Sequence, residues 1–235
     1  MWDKLYPYAR EMGISLPPGL TEPFAAYYAR LVEENKRVNL TRITNPLEAL
    51  VKHFLDSLKL LAWSSRPEGA MLDVGSGAGF PGLPLKIASP QTALTLLDSS
   101  EKRVTFLNET ANMLQLTDVT VLHGRAEDYG RKDEYREQFP LVVSRAVARL
   151  NVLVELCLPF VRTGGHFVAY KGPEGIEESR DAAYALQELN SSVVTVIPYS
   201  LPAEMGERTL LVVRKNGPIP QKYPRKAGIP GKRPL

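Results

Sequence analysis

Hydrophobic and polar positions follow two different patterns along the chain. Up to about residue 64, apolar side chains recur at helical spacing and no segment alternates like a strand. From residue 70 onward, short β-rich runs alternate with helical stretches, which is typical of a parallel sheet covered by helices on both faces. We therefore predict an N-terminal helical cap over 1–64, an α/β domain over 65–215 and a separate tail over 216–235.

The first clear helix of the cap is predicted to begin near Thr21. A threonine side chain can cap a helix, and Pro23 lies in the first turn, where a missing N–H is tolerated. The apolar residues that follow at helical spacing form the expected buried face: Phe24, Tyr28, Leu31 and Val32.

A second helix has a stronger start signal at NPLE. Asn45 can act as the N-cap, Pro46 suits the first helical position, and Glu48 lies where a capping box has an acid. The expected buried stripe comprises Leu47, Val51, Phe54, Leu58 and Leu61. Four polar residues lie off that stripe, on a face that is either solvated or directed at a ligand: Lys52, His53, Asp56 and Lys59.

Seven strands are predicted in the second part of the chain: 70–74, 93–98, 119–124, 140–146, 166–172, 191–201 and 208–215. Helical stretches fill most gaps between them: 83–88, 101–114, 150–159 and 175–189. The last two strands are separated by LPAEMGE alone, which is too short for a helical crossover, so they are expected to form an antiparallel hairpin. The prediction is a seven-stranded, mostly parallel sheet with a reversed last strand.

Composition excludes several classes of protein. No apolar run approaches the ~20 residues that cross a bilayer, and the first residues lack the apolar core of a signal peptide, so we expect a cytoplasmic protein. Cys157 is the single cysteine, on an apolar helical run where a packing role is expected. The three histidines, His53, His123 and His166, are scattered. We therefore expect neither a disulfide nor a bound metal.

Charge is distributed unevenly along the chain. Residues 214–235 carry seven of the 29 basic residues, none of the 26 acidic ones and five prolines. This pattern indicates an extended basic strap or a solubilising disordered end. Tyr223, which stands among Lys222, Arg225 and Lys226, favours contact with nucleic acid, because an aromatic ring can stack on a base while cations meet phosphates.

A glycine-rich loop follows the first strand in MLDVGSGAGFPGLPL, residues 71–85. Such a loop holds a dinucleotide, holds another nucleoside ligand, or is only a tight turn. The dinucleotide pattern GxGxxG appears from Gly77 to Gly82, but the glycine that directly follows the strand is Gly75, whose frame places Phe80 at the third glycine position. Asp73 would repel a diphosphate and attract a sulfonium or ammonium group, which favours S-adenosylmethionine.

Acidic residues also follow the next two strands. Asp98 ends the second strand, 19 positions after Gly79, where a carboxylate can hold ribose hydroxyls. Its alternative role is to cap the next helix, although Ser99 and Ser100 also offer capping groups. After the third strand, the backbone of Ala126 and the side chain of Glu127 could bind adenine, by analogy with this fold.

Several segments together resemble the bacterial 16S rRNA guanine-N7 methyltransferases, also called glucose-inhibited division protein B. They include LDVGSGAGFPGLPLKI, NLTRITNPLEALVKHFLDSL, SRAVARL, GERTLLVV and KYPRKAGIPGKRPL, and they span essentially the whole chain. The resemblance implies the S-adenosylmethionine-dependent methyltransferase fold and methylation of one guanosine in the decoding region. It implies cofactor contacts at Gly75, Phe80, Ala126, Glu127 and Arg145, with Asp98 and its neighbours Ser99 and Ser100 at the ribose. The loop itself adds Asp73, Gly77 and Gly79 to the predicted cofactor site.

Guanine N7 has a lone pair and no proton, so its methylation requires no general base, and none is evident at SRA after the fourth strand. Arg145 is the best candidate to act in the reaction. Candidate RNA contacts are Arg149, Lys171, Arg208, Lys222, Arg225 and Lys226, although Arg149 also suits a surface ion pair. The expected partner is 16S rRNA or a small-subunit particle, bound by a monomer. A nicotinamide-dependent oxidoreductase and a non-catalytic RNA-binding module are the alternatives.

Overall fold

Seven strands form a single mixed sheet in a computed structural model that describes residues 1–63 and 69–235. The strands are β1 (Ala70–Val74), β2 (Ala93–Asp98), β3 (Val119–His123), β4 (Phe139–Arg145), β5 (Val161–Lys171), β6 (Ser191–Ser200) and β7 (Glu207–Lys215). Their order is β3-β2-β1-β4-β5-β7-β6. Neighbouring strands from β3 to β5 are parallel, and β7 is antiparallel to both β5 and β6, so the predicted fold class is confirmed.

The order of the strands determines where a ligand can enter. Chain progression runs from β1 outward to β3 and then returns to β4 on the other side of β1. At such a reversal, the loops that leave the carboxyl ends of the two central strands diverge and open a crevice. The glycine loop follows β1, and the SRAVARL segment follows β4.

Helices cover both faces of the sheet. Those of the α/β part are Gly82–Ala88, Glu101–Met113, Ala126–Tyr129, Leu150–Cys157, Gly175–Asp181 and Ala183–Glu188. Two predictions differ in detail from the structure. The segment 175–189 is two helices divided at Ala182, and β5 begins at Val161 because its first residues pair beside Phe139, across a register irregularity in β4.

The N-terminal part is helical, as predicted, with elements at Trp2–Lys4, Leu5–Glu11, Thr21–Asn35, Pro46–Ala49, Leu50–Leu55, Asp56–Leu58 and Leu60–Trp63. Thr21 is the first helical residue, but its side chain makes no capping hydrogen bond. Tyr27 rather than Tyr28 is fully buried on that helix. Both tyrosines suit helical spacing from Phe24, and Tyr27 is buried because its hydroxyl reaches the carbonyl oxygen of Ala78 in the glycine loop.

The Asn45 cap is confirmed. Its side-chain oxygen accepts hydrogen bonds from the amides of Leu47 and Glu48, at 3.0 and 3.2 Å. The Glu48 carboxylate forms an ion pair with Lys52, one helical turn further on. The next turns, Leu50–Leu55, are π-helical, a widening that often occurs at functional sites.

Two hydrophobic clusters lie on opposite faces of the sheet. One joins the N-terminal helices to side chains such as Met71, Leu94 and Val168. The other joins Leu72, Val142 and Phe167 with the helix of Cys157, whose thiol is fully buried as its packing role requires. The proposed cap over 1–64 therefore shares its core with the sheet, and the predicted boundary at 64 and 65 lies outside the described residues.

The C-terminal tail packs on the body of the protein and is not a free strap. Tyr223 is buried, and the guanidinium of Arg136 donates hydrogen bonds to the carbonyl oxygens of Tyr223 and Ile219. Arg225 donates hydrogen bonds to both carboxylate oxygens of the fully buried Glu155. The stacking role suggested for Tyr223 is therefore wrong, because the ring lies in the second hydrophobic cluster. One helical turn, Ile229–Lys232, forms despite the prolines.

Candidate active site

Steric constraints explain two glycines of the loop after β1. Gly75 has φ of +73°, and a Cβ there would lie 2.6 Å from a methyl group of Val147. Gly79 has φ of +95°, and its Cβ would lie 2.5 Å from the Tyr27 hydroxyl. Both positions combine left-handed backbone with close packing, so a side chain is excluded. The loop is thus held between the N-terminal helices and the segment after β4.

Asp73 lies behind this loop and not on the wall of the adjacent cavity. Its side chain is fully buried, and Oδ2 accepts a hydrogen bond from the amide of Gly82 at 2.8 Å. Oδ1 has no hydrogen-bond partner among the described residues. Burial raises the pKa of Asp73 to about 7, against the opposing effects of that hydrogen bond and of Arg145. Asp73 therefore holds the loop from behind, and its attraction for a sulfonium or ammonium group stays a prediction.

A cavity of about 450 Å³ opens at the carboxyl ends of β1, β2 and β4. Most of the predicted cofactor residues line it: Gly75, Gly77, Phe80, Asp98, Ser99, Ala126, Glu127 and Arg145. Three do not, namely Asp73, Gly79 and Ser100. Since apolar side chains such as Leu97 and Leu156 complete the walls, the cavity can take a ligand with both an aromatic ring and polar groups.

Asp98 connects the glycine loop to the helix that follows β2. Its Oδ2 accepts a hydrogen bond from the amide of Gly77 at 2.8 Å, and Oδ1 accepts one from the amide of Ser100 at 2.9 Å. The N-cap residue of that helix is Ser100, whose amide the Asp98 carboxylate binds, and Arg103 lies 3.5 Å from Oδ2. Asp98 also lines the cavity, and its remaining lone pairs give it the capacity to accept ribose hydroxyls.

Glu127 connects the cavity to the C-terminal tail. Its Oε1 accepts a hydrogen bond from the amide of Gly228 at 2.9 Å, and the side chain is buried where it lines the cavity. The sequence predicts Glu127 at this site but not its bond to the tail, because Glu127 and Gly228 are 101 positions apart along the chain.

His53 also lines the cavity, so of the two places expected for this helix face, the structure gives His53 the one directed at a ligand site. The imidazole stacks on Phe80, with ring centroids 4.6 Å apart, and its Nε2 lies 2.8 Å from the hydroxyl of Thr41. Burial, and then the nearby charge of Arg145, lower the pKa of His53 to about 3. The imidazole is therefore neutral at pH 7. Phe80 itself is sandwiched between His53 and Tyr27.

Asp56, the other buried member of that helix face, forms an ion pair with Arg145. The Arg145 Nη1 lies 3.0 Å from Asp56 Oδ2, and the Tyr199 hydroxyl donates a hydrogen bond of 2.7 Å to Asp56 Oδ1. Nη1 also donates to the carbonyl oxygen of Lys52, and the guanidinium lies over the Phe80 ring. Arg145 is thereby held at the cavity wall by contacts from the helical cap.

The comparisons with known proteins agree on one family. The family description "rRNA small subunit methyltransferase G" matches residues 20–204. Curated relatives with the name ribosomal RNA small subunit methyltransferase G include one from Desulforamulus reducens, 46% identical over 97% of this chain and 95% of the relative. Another, from Lactobacillus johnsonii, is 47% identical over 97% of this chain and 98% of the relative. The chain belongs to this family.

Solved structures of other proteins share the fold of this chain. A putative O-methyltransferase from Klebsiella pneumoniae covers 81% of this chain and 90% of its own, with a TM-score of 0.55 and 15% identity. A ribosomal protein L11 methylase from Lactobacillus delbrueckii covers 71% and 79%, with a TM-score of 0.52 and 14% identity. A protein of M. jannaschii solved in complex with AdoMet covers 66% and 71%, with a TM-score of 0.50 and 14% identity. The chain therefore has the methyltransferase fold.

Several basic residues predicted to contact RNA are engaged within the methyltransferase itself. Lys171 is buried and pairs with Glu178 at 2.7 Å, while it also donates to the carbonyl oxygen of Ala148. Arg149 forms an exposed ion pair with Asp181 at 2.7 Å, which is the alternative to RNA contact that the sequence left open for it. In the tail, Lys222 pairs with Glu188 and Arg225 with Glu155. Arg208 and the exposed Lys226 have no acidic partner among the residues that the structure describes.

Two further observations concern membranes and metals. No helix within 1–63 or 69–235 is long and apolar enough to cross a bilayer. Over the same ranges, no three side chains of His, Cys, Asp or Glu gather as they would around a metal ion.

The depressed pKa of His53 predicts acid sensitivity. In the unfolded chain the imidazole is protonated below about pH 6.5, whereas in the folded chain it stays neutral down to about pH 3. Acidification below pH 6.5 therefore favours the unfolded chain, and the stabilising contribution of His53 is complete only above that pH. Between pH 7 and pH 4, we expect the unfolding free energy of the wild type to fall by about 3 kcal/mol more than that of His53→Gln, which has no imidazole to protonate. Urea unfolding over this pH range measures it.

His123→Gln is the matched control, because His123 is exposed. Its unfolding free energy should follow that of the wild type at every pH. If the His53→Gln curve also runs parallel to the wild-type curve, the imidazole is not held neutral by its surroundings.

Proposed function

We propose that the protein transfers a methyl group from S-adenosylmethionine to N7 of a guanosine in 16S rRNA. The observation that carries the proposal is the cavity at the strand ends, in which Asp98, Glu127 and the glycine loop come together in a chain of the small-subunit rRNA methyltransferase family. Family membership supports small-subunit rRNA as the substrate, and the N7 position follows the resemblance of the motifs to the guanine-N7 enzymes.

The residues present fit S-adenosylmethionine. Asp98 has acceptor capacity for the ribose hydroxyls, and Glu127 has one carboxylate oxygen that is not bound to the tail, which suits the adenine amino group. Arg145 can meet a carboxylate at the β4 end of the cavity. When bound, the cofactor supplies an electrophilic methyl group, and the N7–C bond forms as the C–S bond breaks and sulfur keeps the electron pair.

The side chains around the cavity suit a reaction that moves no proton. The His53 imidazole is neutral but hydrogen-bonded to Thr41, and Asp56 is occupied by Arg145 and Tyr199. These residues are therefore assigned to positioning and to the exclusion of water, and the rate enhancement comes from alignment and electrostatics. We infer action in the cytoplasm, as a monomer, on rRNA that is free or assembled into a small-subunit particle.

Two alternatives are weaker. An NAD-dependent oxidoreductase would place a diphosphate at the glycine loop, whereas the relatives that match nearly the whole chain have the name of an rRNA methyltransferase. A non-catalytic RNA-binding module would have no use for a cavity whose polar groups converge as they do here.

A single labelling experiment tests the function. The full-length protein is incubated with radiolabelled S-adenosylmethionine and 16S rRNA, either naked or in small subunits, and the labelled nucleoside is identified after digestion. Label in 7-methylguanosine is the expected result. Label on another nucleoside would refute the N7 assignment, and binding of NAD in the absence of S-adenosylmethionine binding would replace the cofactor assignment.

A further inference from the structure

A second cavity of about 380 Å³ adjoins the first at the carboxyl ends of β4 and β5. His53, Arg145 and Ala146 line both cavities, so they form the wall or passage between the two. Ala146 has φ of +57°, an unusual conformation for a residue with a side chain and one that is concentrated at functional sites. Two ligands, one in each cavity, would therefore face each other across Arg145.

We infer that the second cavity receives the target guanine and that Glu178 binds its Watson–Crick edge. This inference rests on the proposed function, because it assumes that the first cavity holds the methyl donor. It adds a specificity-determining residue that lies outside the glycine loop and outside the predicted set of site residues.

Arg145 is the first group in the second cavity that suits a guanine. Its Nη1 is bound to Asp56 and to backbone carbonyl oxygens, whereas Nε and Nη2 have no hydrogen bond to the residues that the structure describes. Guanine presents two acceptors, O6 and N7, on one edge, whereas adenine presents an amino group beside N7. A guanidinium at the passage that donates to O6 therefore favours guanine over adenine, and it leaves the N7 lone pair free to face the first cavity.

Glu178 supplies the complementary group. Its Oε2 accepts hydrogen bonds from the amide of Leu150 and from Lys171, both at 2.7 Å, which fixes the carboxylate in place. Oε1 has no hydrogen bond to described residues, and the side chain lines the second cavity but not the first. Guanine has two donors, N1–H and the N2 amino group, on the edge away from N7, and the unbound Oε1 has two lone pairs that can accept from them. Adenine lacks this pair.

Arg208 completes the recognition of a nucleotide. It lines the same cavity and is half-buried, and within the described ranges its one hydrogen bond goes to the carbonyl oxygen of Glu207. The guanidinium is thus available for the phosphate next to the base. Lys171 is not available in this way, because it holds Glu178 and the carbonyl oxygen of Ala148.

The test compares guanosine with inosine at the methylated position of the rRNA, since inosine lacks only the N2 amino group. We expect the kcat/KM of the wild type to be at least about tenfold higher on the guanosine RNA than on the inosine RNA, because inosine lacks one base contact. In Glu178→Gln, the preference for guanosine over inosine should fall to roughly threefold or less. The amide keeps one acceptor oxygen, and its NH2 group then faces the N–H donors of the guanine. The affinity for S-adenosylmethionine should stay unchanged.

Glu177→Gln is the matched control, on the same helix and exposed, and it should keep the wild-type preference. Circular dichroism and the thermal midpoint show whether Glu178→Gln is folded. If it fails to fold, Glu178→Asp replaces it, with the same loss of preference expected. A folded variant with the wild-type preference would overturn the assignment of Glu178. If the wild type itself labels no guanine N7, the proposed function fails, independently of Glu178.

Discussion

Arg145→Ala is expected to abolish methyl transfer and to lower the free energy of unfolding by about 3–5 kcal/mol. The substitution removes the cation from Asp56, whose side chain is only 4% exposed, and leaves Tyr199 as its remaining side-chain partner. A carboxylate that loses its counter-ion inside a protein is strongly destabilising. Sequence reasoning alone would assign Arg145 a role in the reaction without a structural one. Urea denaturation and the labelling assay measure the two effects separately.

A second substitution separates the lost charge pair from the lost chemistry. In the double variant Arg145→Ala/Asp56→Asn the buried charge is gone, and the asparagine oxygen can still accept from Tyr199. Stability should recover in part, and methyl transfer should not. Arg149→Ala provides the comparison for stability, because its ion pair with Asp181 is exposed and contributes about 1 kcal/mol or less. A stable, active Arg145→Ala protein would contradict both roles.

Asp98→Ala is expected to weaken the binding of S-adenosylmethionine by about 100-fold or more. The variant loses the acceptors for two ribose hydroxyls, and hydrogen bonds to a charged group contribute about 1.5–3 kcal/mol each. It also releases the amides of Gly77 and Ser100, so the glycine loop loses its connection to the following helix. Isothermal titration calorimetry with S-adenosylhomocysteine or the cofactor itself measures the affinity.

The control for Asp98→Ala is Asp128→Ala, a change of an exposed carboxylate beside the same cavity. This variant should bind the cofactor as the wild type does. If Asp98→Ala retains wild-type affinity in a folded protein, the carboxylate acts only as a helix cap, and the ribose must be held elsewhere.

The sheet could be predicted from the sequence because its signals are local. Alternating segment types, the short connection before β7 and the glycine loop each reflect physics over a few residues. Asp98 and Glu127 could be placed at the site for a related reason, since carboxyl ends of parallel strands meet at one edge. For residues such as Asp98 and Glu127, a place at or just after the carboxyl end of a parallel strand already determines which edge of the sheet they occupy.

The partners of the polar side chains could not be predicted in this way. His53 and Asp56 lie off the apolar stripe of their helix, and they become buried only because that helix packs across the strand ends, next to Phe80 and Arg145. Lys171 looks like a free cation in the sequence, yet Glu178 neutralises it. Such pairs form between distant segments, so no local pattern reveals them.

The bonds between the tail and the body have a genetic consequence. A nonsense or frameshift mutation between codons 216 and 225 would remove Arg225 from the fully buried Glu155 and Gly228 from Glu127. Such an allele would encode every strand and the complete glycine loop, yet its product would contain an uncompensated buried carboxylate and an altered cofactor cavity. Truncating alleles in this window should therefore behave as loss-of-function alleles, and screens that score only damage to the glycine loop would overlook them.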